Sequence, residues 1–187
     1  MNILLGLTSS VACTLAPKVA KALQELGEVQ VIQTSRVKHF LWTALEGVPV
    51  YKDEDEWRWK MPYGGTVSIW EKGDRVLHID LGEWADIFVI APLTANTLGK
   101  MANGLCDNLL TSVWRAWDWK KPVVVAPAMN TRMWENRITQ DHLRALKLRH
   151  EKFQMVRPVV KRLACGTEGM GAMAPIDEIV RAVRKEM

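Results

Sequence analysis

Cysteine is scarce in this chain. Its 187 residues include three, Cys13, Cys106 and Cys165, and no C-x-x-C pair, so a disulfide framework, a zinc ribbon and thioredoxin-like chemistry are all excluded. Long apolar runs are missing too. The stretches around 87–93 and 122–129 fall well short of the roughly 18 residues that a membrane span requires. The N-terminus opens directly into Asn2-Ile3-Leu4-Leu5-Gly6 with no basic n-region and no small-residue cleavage site, and the expectation is a cytoplasmic protein that engages no membrane. Neither sign of charge dominates: 25 Lys plus Arg stand against 21 Asp plus Glu, a net charge of +4. The densest basic stretch, 144–152, falls on the solvent side of an expected helix, which argues against a nucleic-acid partner. There is no G-x-G-x-x-G spacing, so a dinucleotide site is disfavoured. No repeat, low-complexity tract or linker interrupts the chain.

What is present is an ordinary globular mixture, 48% hydrophobic and 25% charged. The length suits one domain over 1–187 and allows about 70% of the unfolded surface to be buried. Apolar strand-like runs alternate with longer helical stretches, the pattern of a parallel sheet covered on both faces. Strands are expected at 3–7, 29–33, 86–91 and 122–126, with a weaker one at 154–157. Between the first two, Leu15, Val19, Ala22, Leu23 and Leu26 recur at helical spacing before Gly27, which makes a βαβ unit. Further helices are expected at 37–45, 94–101, 109–117, 131–146 and 176–185. The fold class is α/β, doubly wound and Rossmann-like (flavodoxin-like). Residues 50–73 break the alternation with the acidic run Asp53-Glu54-Asp55-Glu56, three tryptophans and two glycine turns, and read as an excursion carrying a hairpin with strands at 66–70 and 75–79. Of the nine tryptophans, Trp84, Trp114, Trp117 and Trp134 are expected in the core or at a subunit contact.

Ligands of doubly wound sheets sit beyond the carboxyl ends of the strands, where helix N-termini present free N–H groups. Four turns occupy such positions. Ser9-Ser10-Val11 follows the first strand and suits an anion, although a plain serine cap explains it equally well. Thr34-Ser35-Arg36 follows the second, and two hydroxyls with a guanidinium suit a phosphate monoester. Thr94-Ala95-Asn96-Thr97 opens a helix after the third. Ala126-Pro127-Ala128-Met129-Asn130 follows the fourth, with an Asn able to reach a ligand carboxylate or simply to form a turn. A fifth segment, Arg162 to Met173, places three glycines around Cys165 and reads as a mobile flap bearing a thiol.

Taken together with Leu77-His78-Ile79-Asp80-Leu81, Trp84-Ala85-Asp86 and the run from Ala91 to Leu110, these segments resemble the homo-oligomeric flavin-containing cysteine decarboxylases. The likeness extends over nearly the whole chain, and the Pro127-Ala128-Met129-Asn130 tetrapeptide with a downstream cysteine-bearing flap is its specific part. Asp53-Glu54-Asp55-Glu56-Trp57 is similar to the plant and animal branch. The resemblance implies FMN held by Ser9, Ser10, Val11, Thr34, Ser35, Arg36, Thr94, Ala95, Asn96, Thr97 and Met129. It implies His78 as catalytic base, Cys165 as proton donor, and Asn130, Arg162, Ala164 and Met173 as substrate contacts. It also implies a homotrimer, or a multiple of trimers, with the flavin between subunits.

The implied reaction is decarboxylation of a phosphorylated cysteine amide in coenzyme A biosynthesis. Flavin oxidation to a thioaldehyde would supply the electron sink, CO₂ would leave, and the enethiol would be reduced again. Oxidative decarboxylation of a peptidyl cysteine uses the same residues, and some relatives are regulatory subunits that bind a protein phosphatase. The chain departs from the family pattern in three places: Ser9 stands where members commonly carry glycine, Pro175-Ile176 follows Met173-Ala174 where Glu-Pro is usual, and the Lys60 to Arg75 excursion is longer than usual.

Overall fold

Alternate residues of the central strands bury into opposite faces of one sheet. In β1 (Asn2–Leu7) Ile3, Leu5 and Leu7 enter one apolar cluster while Leu4 enters another. The same division runs through β4 (Ile87–Leu93) and β5 (Val123–Pro127), which are buried along their whole length. Strands buried on both faces read as continuous apolar runs, which is why the sequence locates them.

A computed structural model describes residues 1–41, 43–56, 72–164 and 166–187. Six parallel strands, adding β2 (Glu28–Gln33), β3 (Val50–Lys52) and β6 (Phe153–Met155), are arranged in the order β3-β2-β1-β4-β5-β6. That is the order of a doubly wound Rossmann-like sheet, with its switch point between β1 and β4. The cluster on one face takes in α1 (Ala16–Gln24) and α7 (Ile176–Arg184). The opposite cluster takes in α2 (Leu77–Trp84), α3 (Ala95–Asn103), α4 (Leu109–Ala116) and α6 (Arg137–Arg149). A short α5 (Thr131–Glu135) precedes α6. Outside the sheet, β7 (Val159–Arg162) and β8 (Glu168–Ala172) form an antiparallel hairpin. Among the described residues no helix is long and apolar enough to cross a membrane.

Several expectations need correction. The strand expected at 75–79 is the start of α2: Leu77, Leu81 and Trp84 fall one and two turns apart, and together they meet the core. Its expected partner at 66–70 lies outside the described residues. The helix expected over 37–45 is a single 3₁₀ turn, Val37–His39. Beyond it Leu41 and Leu45 reach the core from irregular chain. The helix expected over 131–146 is two helices, because the Asn136 side chain accepts from Ile138 N and caps the second. Trp114, Trp117 and Trp134 are buried as expected, and Trp84 packs partly buried against the same cluster.

Candidate functional site

The ends of β1, β2 and β4 are tied together before any ligand is considered. Thr8, wholly buried, donates from Oγ1 to Pro92 O at 2.8 Å and accepts from Thr94 N at 2.8 Å. Thr34 N donates to Leu7 O at 3.1 Å, and the hydroxyls of Ser9 and Thr34 lie 3.0 Å apart. Ser10 caps the 3₁₀ turn Val11–Leu15, accepting from Ala12 N, and Thr94 caps α3, accepting from Thr97 N. Cys13 is a structural thiol here. It is fully buried, donates to Thr8 O, and burial pushes its pKa up.

These loops surround a cavity of about 910 Å³ at the carboxyl ends of the strands. Its wall contains Ser9, Ser10 and Val11; Thr34, Ser35 and Arg36; Thr94 to Thr97; and Met129. Every residue expected to hold a cofactor is therefore brought to one place. The sequence reading missed Asp53, Lys100, Asp107, Asn108 and Met133 on the same wall. Lys100 and Asp107 pair at 2.6 Å, and that hydrogen bond holds the Asp107 carboxyl below its ordinary range. Asp53 accepts from Leu109 N at 3.1 Å, at the N-terminus of α4; burial pushes its carboxyl up, against the pull of the Leu109 and Ser35 N–H groups. The acidic run and the segment before α4 carried these residues in plain sight, but nothing local tells a wall carboxylate from a solvated one.

The donor set suits FMN. Hydroxyls from three loops, the Arg36 guanidinium and the first N–H groups of α3 meet in one hollow, which is the arrangement a phosphoryl group and the carbonyl-rich edge of a flavin require. Val11, Ala128 and Met129 give the wall an apolar portion for a ring.

The residues expected to act on substrate do not lie on this wall among the described residues. Asn130 is exposed just beyond it. Its Oδ1 caps α5 by accepting from Met133 N at 2.9 Å, leaving the Nδ2 donor without a partner among the described residues. Arg162 and Ala164 are exposed at the turn end of the β7–β8 hairpin, and Met173 is buried in the core at its root. Cys165 lies outside the described residues. The hairpin is docked against the cavity rim: Met129 N donates to Gly171 O at 2.9 Å. No side chain fits at Gly171, where a Cβ would come within 2.2 Å of Met129 O and φ is +140°. Gly169 is equally confined, since a Cβ there would meet Thr131 Oγ1 at 2.2 Å.

His78 sits in the first turn of α2, half-buried, and is not among the residues that line this cavity. Its Nδ1 contacts Glu56 Oε1, and its backbone N–H donates to Glu56 Oε2 at 3.1 Å. Glu56 is buried, with its side chain 5% exposed.

The flavoprotein family profile matches residues 1–187. The chain is 48% identical over 186 residues to the phosphopantothenoylcysteine decarboxylase of Arabidopsis thaliana, covering 98% of this chain and 83% of that one. It is 46% identical over 186 residues to the Mus musculus phosphopantothenoylcysteine decarboxylase, covering 98% and 85%. Among solved structures, a cysteine-to-serine variant of a phosphopantothenoylcysteine decarboxylase complexed with pantothenoylaminoethenethiol superposes with a TM-score of 0.89 at 45% identity, covering 98% of this chain and 96% of that one. The FMN-binding protein AtHal3 superposes with a TM-score of 0.84 at 46% identity, covering 98% and 95%.

Proposed function

We propose, from the premise that the chain belongs to the flavoprotein family, that it is an FMN-dependent carboxy-lyase converting 4′-phosphopantothenoylcysteine to 4′-phosphopantetheine in coenzyme A biosynthesis. The observation that carries this reading is the single cavity into which all four expected strand-end loops converge. Identities near 47% to decarboxylases of that name support the choice of substrate.

FMN, when bound, supplies a two-electron acceptor that takes up and returns a hydride, so that the substrate gains an electron sink for losing CO₂ with no net redox change. The protein's own residues do the rest. The hydroxyls of Ser9, Ser10, Thr34 and Ser35, the Arg36 guanidinium and the N-terminal N–H groups of α3 hold the cofactor. The free Nδ2 of Asn130 donates to the substrate carboxylate and orients it. His78, with Nε2 unprotonated, accepts the substrate's thiol proton. Cys165 returns a proton to carbon after CO₂ has left. Arg162 and Ala164, on the hairpin, cover the substrate and exclude water, while Met173 roots the hairpin in the core.

His78 is not among the residues lining the cavity of its own chain, and in this reading a trimer with the flavin between subunits brings a His78 to each flavin. The free thiols of Cys13 and Cys106 suit the reducing cytoplasm, where the proposal places the enzyme.

The test is a competition. FMN-loaded protein is given 4′-phosphopantothenoylcysteine and a peptide ending in cysteine, and CO₂ release from each is measured. Strong preference for the phosphorylated amide is expected; preference for the peptide would transfer the assignment to peptidyl-cysteine decarboxylation.

A further inference from the structure

Helix α2 starts without a cap of its own. Val76 occupies the N-cap position and makes no side-chain hydrogen bond there, so the first N–H groups of the helix need acceptors from elsewhere. One comes from Glu56, 22 residues earlier, whose Oε2 accepts from His78 N at 3.1 Å. The other carboxylate oxygen, Oε1, meets His78 Nδ1. With both Glu56 oxygens acting as acceptors, a neutral imidazole in this geometry donates from Nδ1 and leaves Nε2 bare. The chain brings Glu56 to this position through the 3₁₀ turn Asp53–Asp55, which Asp55 fixes by accepting from Lys52 N at 2.8 Å. Once there, the carboxylate is almost entirely shielded from water, whereas the imidazole keeps 22% of its side chain exposed. The Nδ1 edge of the ring is thus held against a buried carboxylate, while part of the imidazole stays exposed.

We propose that Glu56 is the positioning residue of His78, fixing the tautomer that makes Nε2 the base. The proposal rests on the reading of His78 as the base of the decarboxylation. Both acceptor oxygens are needed, and this makes glutamine the informative replacement. The backbone N–H of His78 can only donate, so in the Glu56→Gln variant it claims the single amide oxygen. The amide NH₂ then faces Nδ1 and turns it into an acceptor, which moves the ring proton to Nε2. The side chain has nearly the same shape, the helix keeps its cap, and the base is blocked.

The experiment uses the FMN-loaded protein labelled with ¹⁵N-histidine, in alkaline buffer where imidazoles are neutral. The chain has four histidines, and the His78 signals are those missing from His78→Asn. Wild type should show a protonated Nδ1 and a bare Nε2 at His78, and E56Q should show the reverse. Turnover of 4′-phosphopantothenoylcysteine by E56Q should fall about 100-fold or more in kcat, with KM changed little. A carboxylate that served only as a helix cap would leave the tautomer and kcat of the folded variant unchanged, and that result overturns the proposal. So does a wild-type His78 with a bare Nδ1, which needs no variant of Glu56 to fold. A wild type that binds FMN but releases no CO₂ from the substrate would overturn the functional reading, and the tautomer measurement would then decide the positioning of His78 by itself.

Discussion

Replacing Thr8 with valine removes one oxygen atom and keeps the side chain's shape. That oxygen, on a side chain with no solvent exposure, joins the first and third ligand loops, donating to Pro92 O and accepting from Thr94 N, at 2.8 Å each. Pro92 O keeps a second donor, Thr8 N at 3.3 Å, so its loss is partial. Thr94 N has no second acceptor among the described residues, and because Thr94 is only half-buried its unpaired donor costs about 1 kcal/mol, the low end for such a loss. A value near 1 kcal/mol lowers Tm by roughly 2–4 °C in a chain of this size. The assay is thermal and urea unfolding of the FMN-loaded protein at fixed protein and FMN concentration, with Thr8→Ser as control because it retains the hydroxyl. FMN affinity should fall together with stability, since Thr94 opens the helix whose N-terminus lines the cavity. A valine variant within about 1 °C of wild type, with unchanged FMN affinity, would refute the claim that Thr8 holds these two loops in place.

Gly171→Ala should leave FMN bound and the core intact while lowering decarboxylation, because a Cβ 2.2 Å from Met129 O at φ +140° forces the hairpin off the rim; flavin absorbance and CO₂ release read the two effects separately. His150, buried with no side-chain partner for either ring nitrogen among the described residues and stacked on Trp114, has its pKa lowered by desolvation, with its own backbone and then Asp118 pulling the other way. The unfolded chain therefore takes up a proton that the native state resists. The stability this residue contributes is present above about pH 6.5 and is lost as pH falls toward the lowered native value. His150→Phe should shrink the drop in Tm between about pH 7.5 and about pH 5, as thermal scans will show. Cys165→Ser should still lose CO₂ but stall before reprotonation, so that mass spectrometry finds an ethenethiol lighter than phosphopantetheine by a pair of hydrogens. Normal phosphopantetheine formation at the parent rate would remove Cys165 from the proton-donor role.

The parts of the fold that could be read in advance are those whose side chains are decided locally. Leu4 and its neighbours in β1 are apolar whichever face they meet, and α1 repeats its buried residues at Val19, Ala20 and Leu23. The strand-end loops were legible for a related reason: a parallel strand dictates where a ligand must sit, and Thr34 and Thr94 follow strands immediately, with Ser9 two residues past β1. Features set by distant partners were hidden. β3 is three residues long, Val50–Lys52, and exists because Val31 and its neighbours offer an edge. Val76, Leu77 and Ile79 follow a glycine turn and are apolar enough for a strand, yet the chain prefers the helix that brings Leu77 and Leu81 onto the core. Glu56 reads as one more acid in a charged run, and its contact with His78 spans 22 residues with no periodicity to reveal it. That His78 does not line its own chain's cavity is likewise carried by no local motif.

The central claim is a redox-neutral decarboxylation supported by the FMN cavity, and its most direct test is the mass of the product. Purified protein loaded with FMN is mixed anaerobically with 4′-phosphopantothenoylcysteine, with no added reductant or oxidant. The account predicts many turnovers per flavin and a product lighter than the substrate by one CO₂ and by nothing else, which is 4′-phosphopantetheine. No loss of CO₂ from the flavin-loaded protein, or a wild-type product also missing a pair of hydrogens, would contradict it.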